Sequence, residues 1–202
     1  ENYISSSWEV NGRWFSPSNR PSTVEFRFKS EKFPPTNLSQ SLFSLYNGLI
    51  NCNNWNLARS SAGGDFCTFP GLVVKDNENI FNPYWNGYFT SLYERINISF
   101  YNKYNYELPR HIQRIHLGAK NETSLTEFHV DSNESDAITI LGFLTPQWSK
   151  EWGGALQVEE NKIDFEPGKF LIFKSNEIHE GVGPNQRIPY WRISINYVIK
   201  SQ

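Results

Sequence analysis

The sequence predicts a mainly β domain with some α, a β-sandwich or jelly roll buttressed by N-terminal helices. Three observations predict it. Aromatic residues make up 16% of the 202 positions, with 15 Phe, 10 Tyr and 7 Trp, and aromatic and β-branched residues favour strands. Two segments with helical character stand in the first half of the chain. After Pro109, short strand-like runs recur with turn residues between them. Helices followed by many short strands are the pattern of a sandwich or jelly roll.

The elements follow in order. Residues 23–28 alternate apolar and polar and read as a strand. Residues 38–50 carry Leu38, Leu42, Leu45 and Leu49 at helical spacing, with Asn37 as the cap. Residues 58–71 hold Gly63-Gly64 and Pro70-Gly71 and read as a loop. Residues 84–104 follow Asn82-Pro83 and form a second helix whose aromatic stripe is core packing. Strands are expected at 111–118, 126–131, 137–145, 154–159, 169–174 and 190–199. Turns at Asn133-Glu134-Ser135, Gly153-Gly154, Pro167-Gly168 and Gly183-Pro184 separate them.

Composition narrows the function classes. No repeat or linker interrupts the chain, so residues 1–202 read as one domain: 1–110 a helical buttress with rim loops, 111–202 a jelly-roll core. The net charge is −2, far from the basic balance of a phosphate-backbone binder, and no nucleic-acid partner is expected. No run of 18 apolar residues occurs, so no membrane association is expected. The polar stretch 1–21 has no signal-peptide core. Cys52 and Cys67 read as free thiols of a reducing, cytoplasmic compartment. The sequons at Asn37, Asn97, Asn121 and Asn133 are explained by the abundance of Asn and Ser.

Chemistry concentrates in the second half. In a strand, residues two apart share a face, so His129 and Asp131 present an imidazole and a carboxylate side by side. His179 follows the apolar strand 170–173, which a Pro167-Gly168 turn introduces. A jelly roll brings such strands together at its mouth. Two His and one Asp then form a facial triad, a ligand set suited to non-haem Fe(II). In the last strand, alternation places Arg192, Ser194 and Asn196 on one face and Ile193, Ile195 and Tyr197 on the other. An inward arginine needs an anionic partner, because a lone buried charge is costly. The far end of a dicarboxylate would serve.

These pieces stand in the order of a known family. From His129 to Tyr197 the chain resembles the Fe(II)/2-oxoglutarate-dependent dioxygenases, especially their prolyl-4-hydroxylase-like branch. The likeness rests on His129-Val130-Asp131, residues 137–145, Trp152-Gly153-Gly154-Ala155-Leu156, residues 165–173, His179-Glu180-Gly181-Val182 and Arg192-Ile193-Ser194-Ile195. The strand Gln113-Arg114-Ile115-His116-Leu117-Gly118 extends it. About 70 of the 202 residues carry it.

The resemblance implies a double-stranded β-helix and an enzyme that uses Fe(II), 2-oxoglutarate and O₂, with ascorbate stimulatory. It implies His129, Asp131 and His179 as metal ligands and Arg192 as the anchor of the C5 carboxylate, with Ser194 and Asn196 adding hydrogen bonds. Arg187 is the rival anchor, because the 13 residues from His179 to Arg192 exceed the usual gap. His116 stands where the branch usually has a tyrosine near the cosubstrate, and Arg114 shares its face, so either could contact it. Phe143 stands where many relatives have Tyr.

The reaction implied is hydroxylation of an unactivated C–H, a prolyl residue of a peptide or protein first. The alternatives are a small molecule (a free amino acid, sugar or natural product), a cupin-like metalloenzyme without 2-oxoglutarate, or a non-catalytic jelly-roll binding module. Loops 59–71, 132–136 and 146–153 are expected at the barrel mouth, where Arg59, Trp148 and Trp152 are the substrate contacts weighed against ordinary rim packing. By proximity, Glu177 and Glu180 are the expected acceptors behind the metal-binding imidazoles.

Overall fold

A computed structural model describes residues 7–11, 24–29, 36–57 and 69–201. Among these residues, twelve strands and two α-helices run in the order β1 (Ser7–Asn11), β2 (Val24–Lys29), α1 (Thr36–Ile50), β3 (Asn56–Leu57), β4 (Pro70–Asp76), β5 (Asn79–Ile80) and α2 (Pro83–Tyr104). Then come β6 (His111–Lys120), β7 (Ile138–Phe143), β8 (Leu156–Val158), β9 (Asn161–Ile163), β10 (Lys169–Lys174), β11 (His179–Gly181) and β12 (Arg192–Lys200). The major sheet has the order β1-β2-β10-β7-β12-β6-β4-β3, with β5 paired to β4. A minor sheet, β11-β8-β9, completes the fold. The pairings are antiparallel. This is the expected mainly β jelly roll with helices.

The helices form where the sequence favours them. Asn82 caps α2: its side-chain oxygen accepts from the Trp85 amide at 3.1 Å, and Pro83 occupies the first turn, where its missing N–H costs nothing. Asn105 ends it at φ 52° and donates its amide to the Tyr101 carbonyl. Between the caps, Trp85, Phe89, Tyr93, Ile96 and Phe100 recur every three or four residues and are buried. They pack on Ile115 and Leu117 of β6 and on Ile193, Ile195 and Tyr197 of β12. The Tyr197 hydroxyl donates to the Phe89 carbonyl at 3.0 Å, so this buried phenol is satisfied. The aromatic stripe of α2 is therefore core.

The opposite face of the major sheet turns toward the minor sheet. A second apolar cluster fills part of that space: Leu141, Phe143, Leu156, Val158, Ile163, Phe165, Leu171 and Phe173. Strand alternation thus divides β6 and β12 between two environments. Odd positions 115–119 and 193–199 join the helix-side core, while Arg114, His116, Gly118, Lys120, Arg192, Ser194 and Asn196 lie on the other face.

Several expectations need correction. Helix α1 starts at Thr36, so Asn37 lies within it rather than before it. Residues 126–131 form no strand and make one bridge, His129 to His179. The chain leaves the ladder because the amides of Asp131 and Ser132 both turn to the Ser175 carbonyl. The strand expected at 154–159 shrinks to Leu156–Val158, since Gly153 and Gly154 have φ values of +71° and +76° that no strand continues. Strand β12 begins at Arg192, after bends at 189 and 190. Pro70-Gly71 open strand β4 rather than close a loop; residues 58–68, with Arg59 and Cys67, lie outside the described residues. Among the described residues, the first 110 supply strands β1 to β5 besides the helices, so they extend the sheet as well as buttress it.

Candidate active site

The bridge between His129 and His179 builds the centre of the site. The two residues exchange both backbone hydrogen bonds, at 3.0 and 2.9 Å. This sets their imidazoles side by side, with ring centroids 4.5 Å apart. Asp131, two residues beyond His129, returns to the same face. The donor atoms of His129, Asp131 and His179 all lie within 4.8 Å of one another. His179 Nε2 is 3.4 Å from Asp131 Oδ2.

Each imidazole is oriented by the carbonyl two residues before it. His129 Nδ1 meets the Glu127 carbonyl and His179 Nδ1 meets the Glu177 carbonyl, both at 2.9 Å. An Nδ1–H donated to a carbonyl leaves the Nε2 lone pair for a metal. The acceptors are backbone groups, not the Glu177 and Glu180 carboxylates; Glu180 instead accepts from the Thr126 hydroxyl. Burial pushes the His179 imidazole below its ordinary pKa, with Asp131 opposing. At neutral pH it is the uncharged, ligating form.

Asp131 is held on both oxygens. Arg114 Nη2 donates to Oδ1 at 2.9 Å, while Thr139 Oγ1 and Asn196 Nδ2 donate to Oδ2 at 2.8 Å each. Burial alone would raise this carboxyl. His179, Arg114 and the hydrogen bonds from Asn196 and Thr139 outweigh it and hold the group below the usual carboxylate range. Arg114 Nη2 is therefore turned to the Asp131 carboxylate, while its buried Nε has no hydrogen-bond partner among the described residues. Asn196 joins it there, away from Arg192. Thr139 was not expected from the sequence; its signal is a lone hydroxyl in an apolar strand.

The Arg192 end of the pocket lies four residues up β12. Arg192 is fully buried. Its Nε donates to the Gly154 carbonyl at 2.7 Å, its Nη1 lies 3.5 Å from Ser194 Oγ, and its Nη2 has no hydrogen-bond partner among the described residues. The guanidinium sits over the rings of Phe143 and Phe165, 5.4 and 5.1 Å from their centroids. Burial pulls its pKa down to about 9. Gly154 is required beneath it: an added Cβ would stand 3.2 Å from Arg192 Cδ and 2.6 Å from the Trp148 ring.

The remaining candidates divide clearly. Arg187 is exposed on the loop before β12, while Arg192 is buried. His116 faces the metal end, opposite Asn196 in the β6–β12 ladder. Burial, then Arg114, lowers its pKa to about 4. Trp148 donates its indole N–H to the Gly153 carbonyl at 2.9 Å and packs on Phe165, 4.4 Å between centroids. Trp152 stands at the edge, 6.3 Å from the Tyr190 ring. Ser194 points to Arg192, as alternation requires.

The donor set and the orphaned guanidinium can be tested against a metal and a dicarboxylate. Two imidazoles and one carboxylate on one side suit an Fe(II) that keeps open positions. Gly181 follows His179 by two residues on the same face, about 7 Å along the strand. An added Cβ there would lie 3.6 Å from both Arg192 Nη atoms. Four C–C bonds of about 1.5 Å span ~5 Å in zigzag. A five-carbon diacid therefore reaches from the metal edge to the guanidinium, and the residues fit both groups.

The sequence model of the 2OG-Fe(II) oxygenase superfamily matches residues 96–200, just over half of the chain. The chain belongs to the 2OG-Fe(II) oxygenase superfamily. Solved structures resemble this oxygenase in fold. A Pseudomonas putida prolyl-4-hydroxylase is 13% identical, with 98% of this chain and 94% of that chain covered and a TM-score of 0.55. A Trichoplax adhaerens prolyl hydroxylase, in complex with a hypoxia inducible factor peptide fragment, is 14% identical over 81% and 79%, with a TM-score of 0.57. The alpha ketoglutarate dependent epimerase SnoN from nogalamycin biosynthesis is 13% identical over 90% and 79%, with a TM-score of 0.60. No curated protein sequence matches the chain. The oxygenase is a 2-oxoglutarate-dependent dioxygenase that uses Fe(II), 2-oxoglutarate and O₂. Among its described residues, no helix is long and apolar enough to cross a membrane.

Proposed function

We propose that the oxygenase hydroxylates an unactivated C–H of a prolyl residue in a peptide or protein, with Fe(II) held by His129, Asp131 and His179. The observation that carries the cosubstrate assignment is the buried Arg192 guanidinium, whose Nη2 has no hydrogen-bond partner among the described residues. A buried cation is costly unless it is paired, and the C5 carboxylate of 2-oxoglutarate supplies that pair. Ser194 lies between this anchor and the metal end and offers a hydroxyl to the same carboxylate. When bound, the iron with 2-oxoglutarate and O₂ supplies the oxidant that removes a hydrogen from the substrate.

The chain's own residues do the rest. The Glu127 and Glu177 carbonyls aim the two imidazoles. Arg114, Thr139 and Asn196 fix the carboxylate of Asp131 and keep it ionised. Phe143 and Phe165 exclude water from the anchored end, which strengthens a charge-assisted hydrogen bond there. The site is asymmetric: His179 is buried, while His129 is half-buried and marks the side open to substrate.

A prolyl substrate is supported by the likeness to prolyl hydroxylases, one of which covers nearly the whole chain. A small-molecule substrate is the second reading, and it is supported by the similar fold of SnoN, whose structure with Fe3+, alpha ketoglutarate and nogalamycin RO has a TM-score of 0.58. Succinate release measured across proline-containing peptides and small molecules separates the two. Turnover driven by peptides supports the first reading, and turnover confined to small molecules overturns it. Trp152 is proposed to meet substrate at the rim, with Trp148 packed against it; Arg59, also proposed as a substrate contact, lies outside the described residues.

A further inference from the structure

Arg192 does not face the pocket alone. Lys120 is its direct partner across the β6–β12 ladder. Lys120 is buried, at 7% exposure. Its ammonium donates to the Gly181 carbonyl and lies over the Phe69 ring, 4.5 Å from the centroid. The missing side chain of Gly181 shows where the two cations converge. A Cβ built there would stand 3.1 Å from Lys120 Nζ and 3.6 Å from both Arg192 Nη atoms. Two positive groups, from neighbouring strands, are thus aimed at one small space next to a glycine. The field of Lys120 reaches the metal end too, since its charge bears on both His116 and His179.

The inward face of the two strands is graded along its length. Asn196 and His116 form the row at the metal end. Ser194 and Gly118 form the middle row, and Arg192 and Lys120 the far row. Gly118 admits the Phe69 ring, 3.2 Å from where a Cβ would stand, and Gly181 admits the Lys120 ammonium. A single arginine can satisfy a carboxylate by itself through its planar fork. Placing an ammonium on the other side adds a point charge that holds the carboxylate from a second direction.

We propose that Lys120 is a second cation of the cosubstrate pocket, clamping the far carboxylate of 2-oxoglutarate together with Arg192 and making the pocket select dicarboxylates by charge. This rests on the cosubstrate reading given under Proposed function.

The test uses the full chain loaded anaerobically with Fe(II), and reads binding by calorimetry. The probes are 2-oxoglutarate and 2-oxopentanoate, which has the same length but no far carboxylate. Lys120→Met is expected to weaken 2-oxoglutarate by about 10- to 100-fold, the worth of one hydrogen bond to a charged group. It should leave 2-oxopentanoate and Fe(II) affinity within about twofold. Lys120→Gln, which keeps a donor for the Gly181 carbonyl but no charge, should lose the same affinity, and it replaces the methionine variant should that one not fold. Lys120→Arg should restore most of it. Rescue by glutamine would make Lys120 a structural hydrogen-bond donor and overturn the proposal. So would an equal loss for both probes. If Arg192→Met weakens 2-oxoglutarate and the Lys120 variants do not, only the second cation falls. If the unaltered chain binds neither probe, the cosubstrate reading falls with it.

Discussion

Replacing Arg192 with methionine should weaken cosubstrate binding by at least about 30-fold while leaving the empty protein nearly as stable as before. Three quantities decide this. An arginine ordinarily titrates above 12, and burial brings Arg192 to about 9. At roughly 1.4 kcal/mol per pH unit, burying this cation costs on the order of 4 kcal/mol. The sign is that of a base with a depressed pKa: the unfolded chain binds the proton more tightly, so the cost is complete below pH 9 and is relieved only above it. Methionine removes that cost. It also strips the Gly154 carbonyl of its donor, worth about 2 kcal/mol, and two cation–ring contacts of about 1 kcal/mol each. The two sides nearly cancel. Thermal unfolding of the apoprotein should stay within ~4 °C, given 2–4 °C per kcal/mol for a chain of about this size. Binding of 2-oxoglutarate loses a buried charge pair, typically ~2–5 kcal/mol, or at least about 30-fold in affinity. Differential scanning calorimetry and anaerobic titration read the two effects separately. A fall in melting temperature beyond ~10 °C would make Arg192 a structural residue and refute the argument. So would 2-oxoglutarate affinity within threefold of the unaltered chain.

The other predictions are narrower. His116 sits at about 4 through burial and Arg114, against about 6.5 in an unfolded chain. The unfolded state therefore binds the extra proton between those values, and apoprotein stability should rise from pH 4 to 6.5, by on the order of 3 kcal/mol. His116→Gln should flatten that part of the melting-temperature profile; an unaltered slope would contradict the assignment. Thr139→Val keeps the shape but removes the hydroxyl from Asp131 Oδ2 and Ser175. It should weaken Fe(II) binding by about 10- to 100-fold, measured by metal titration against a competing chelator. Gly142→Ala would drive a methyl into the Phe170 ring across β7 and β10. Overpacking of that kind costs about 1–3 kcal/mol, and urea unfolding should show the loss.

Much of this molecule could be read from residue order, and the rest fails for physical reasons. Helix α2 was legible because Asn82-Pro83 starts it and a buried aromatic recurs every third or fourth residue. Strands β10 and β12 were legible because their apolar runs are bounded by Pro167-Gly168 and Pro189. The triad followed from the two-residue spacing of His129 and Asp131, although the strand expected there is a single bridge, and from one later histidine. Strand β11 was not legible, since three residues carry no period. Neither was the single bridge at His129, which depends on where Ser175 sits in space. The imidazole acceptors escaped notice because they are main-chain carbonyls, which every residue has. The difference in burial between Arg192 and Arg187, on which the proposed anchor rests, needed the loop from Val182 to Trp191, which carries Arg187 into solvent. Lys120 was legible in principle: it continues the inward series 114, 116, 118. Its pairing with Arg192 required the register of two strands 72 positions apart in sequence.

The central claim is that a metal on His129, Asp131 and His179 and a 2-oxoglutarate on Arg192 share one site. Anaerobic visible absorption tests it most directly. With one equivalent of Fe(II), addition of 2-oxoglutarate should produce a weak charge-transfer band that saturates with cosubstrate. The band should be absent in His179→Ala and should require far more 2-oxoglutarate in Arg192→Met. A folded chain that binds Fe(II) through these residues yet gives no band at saturating 2-oxoglutarate would contradict the account.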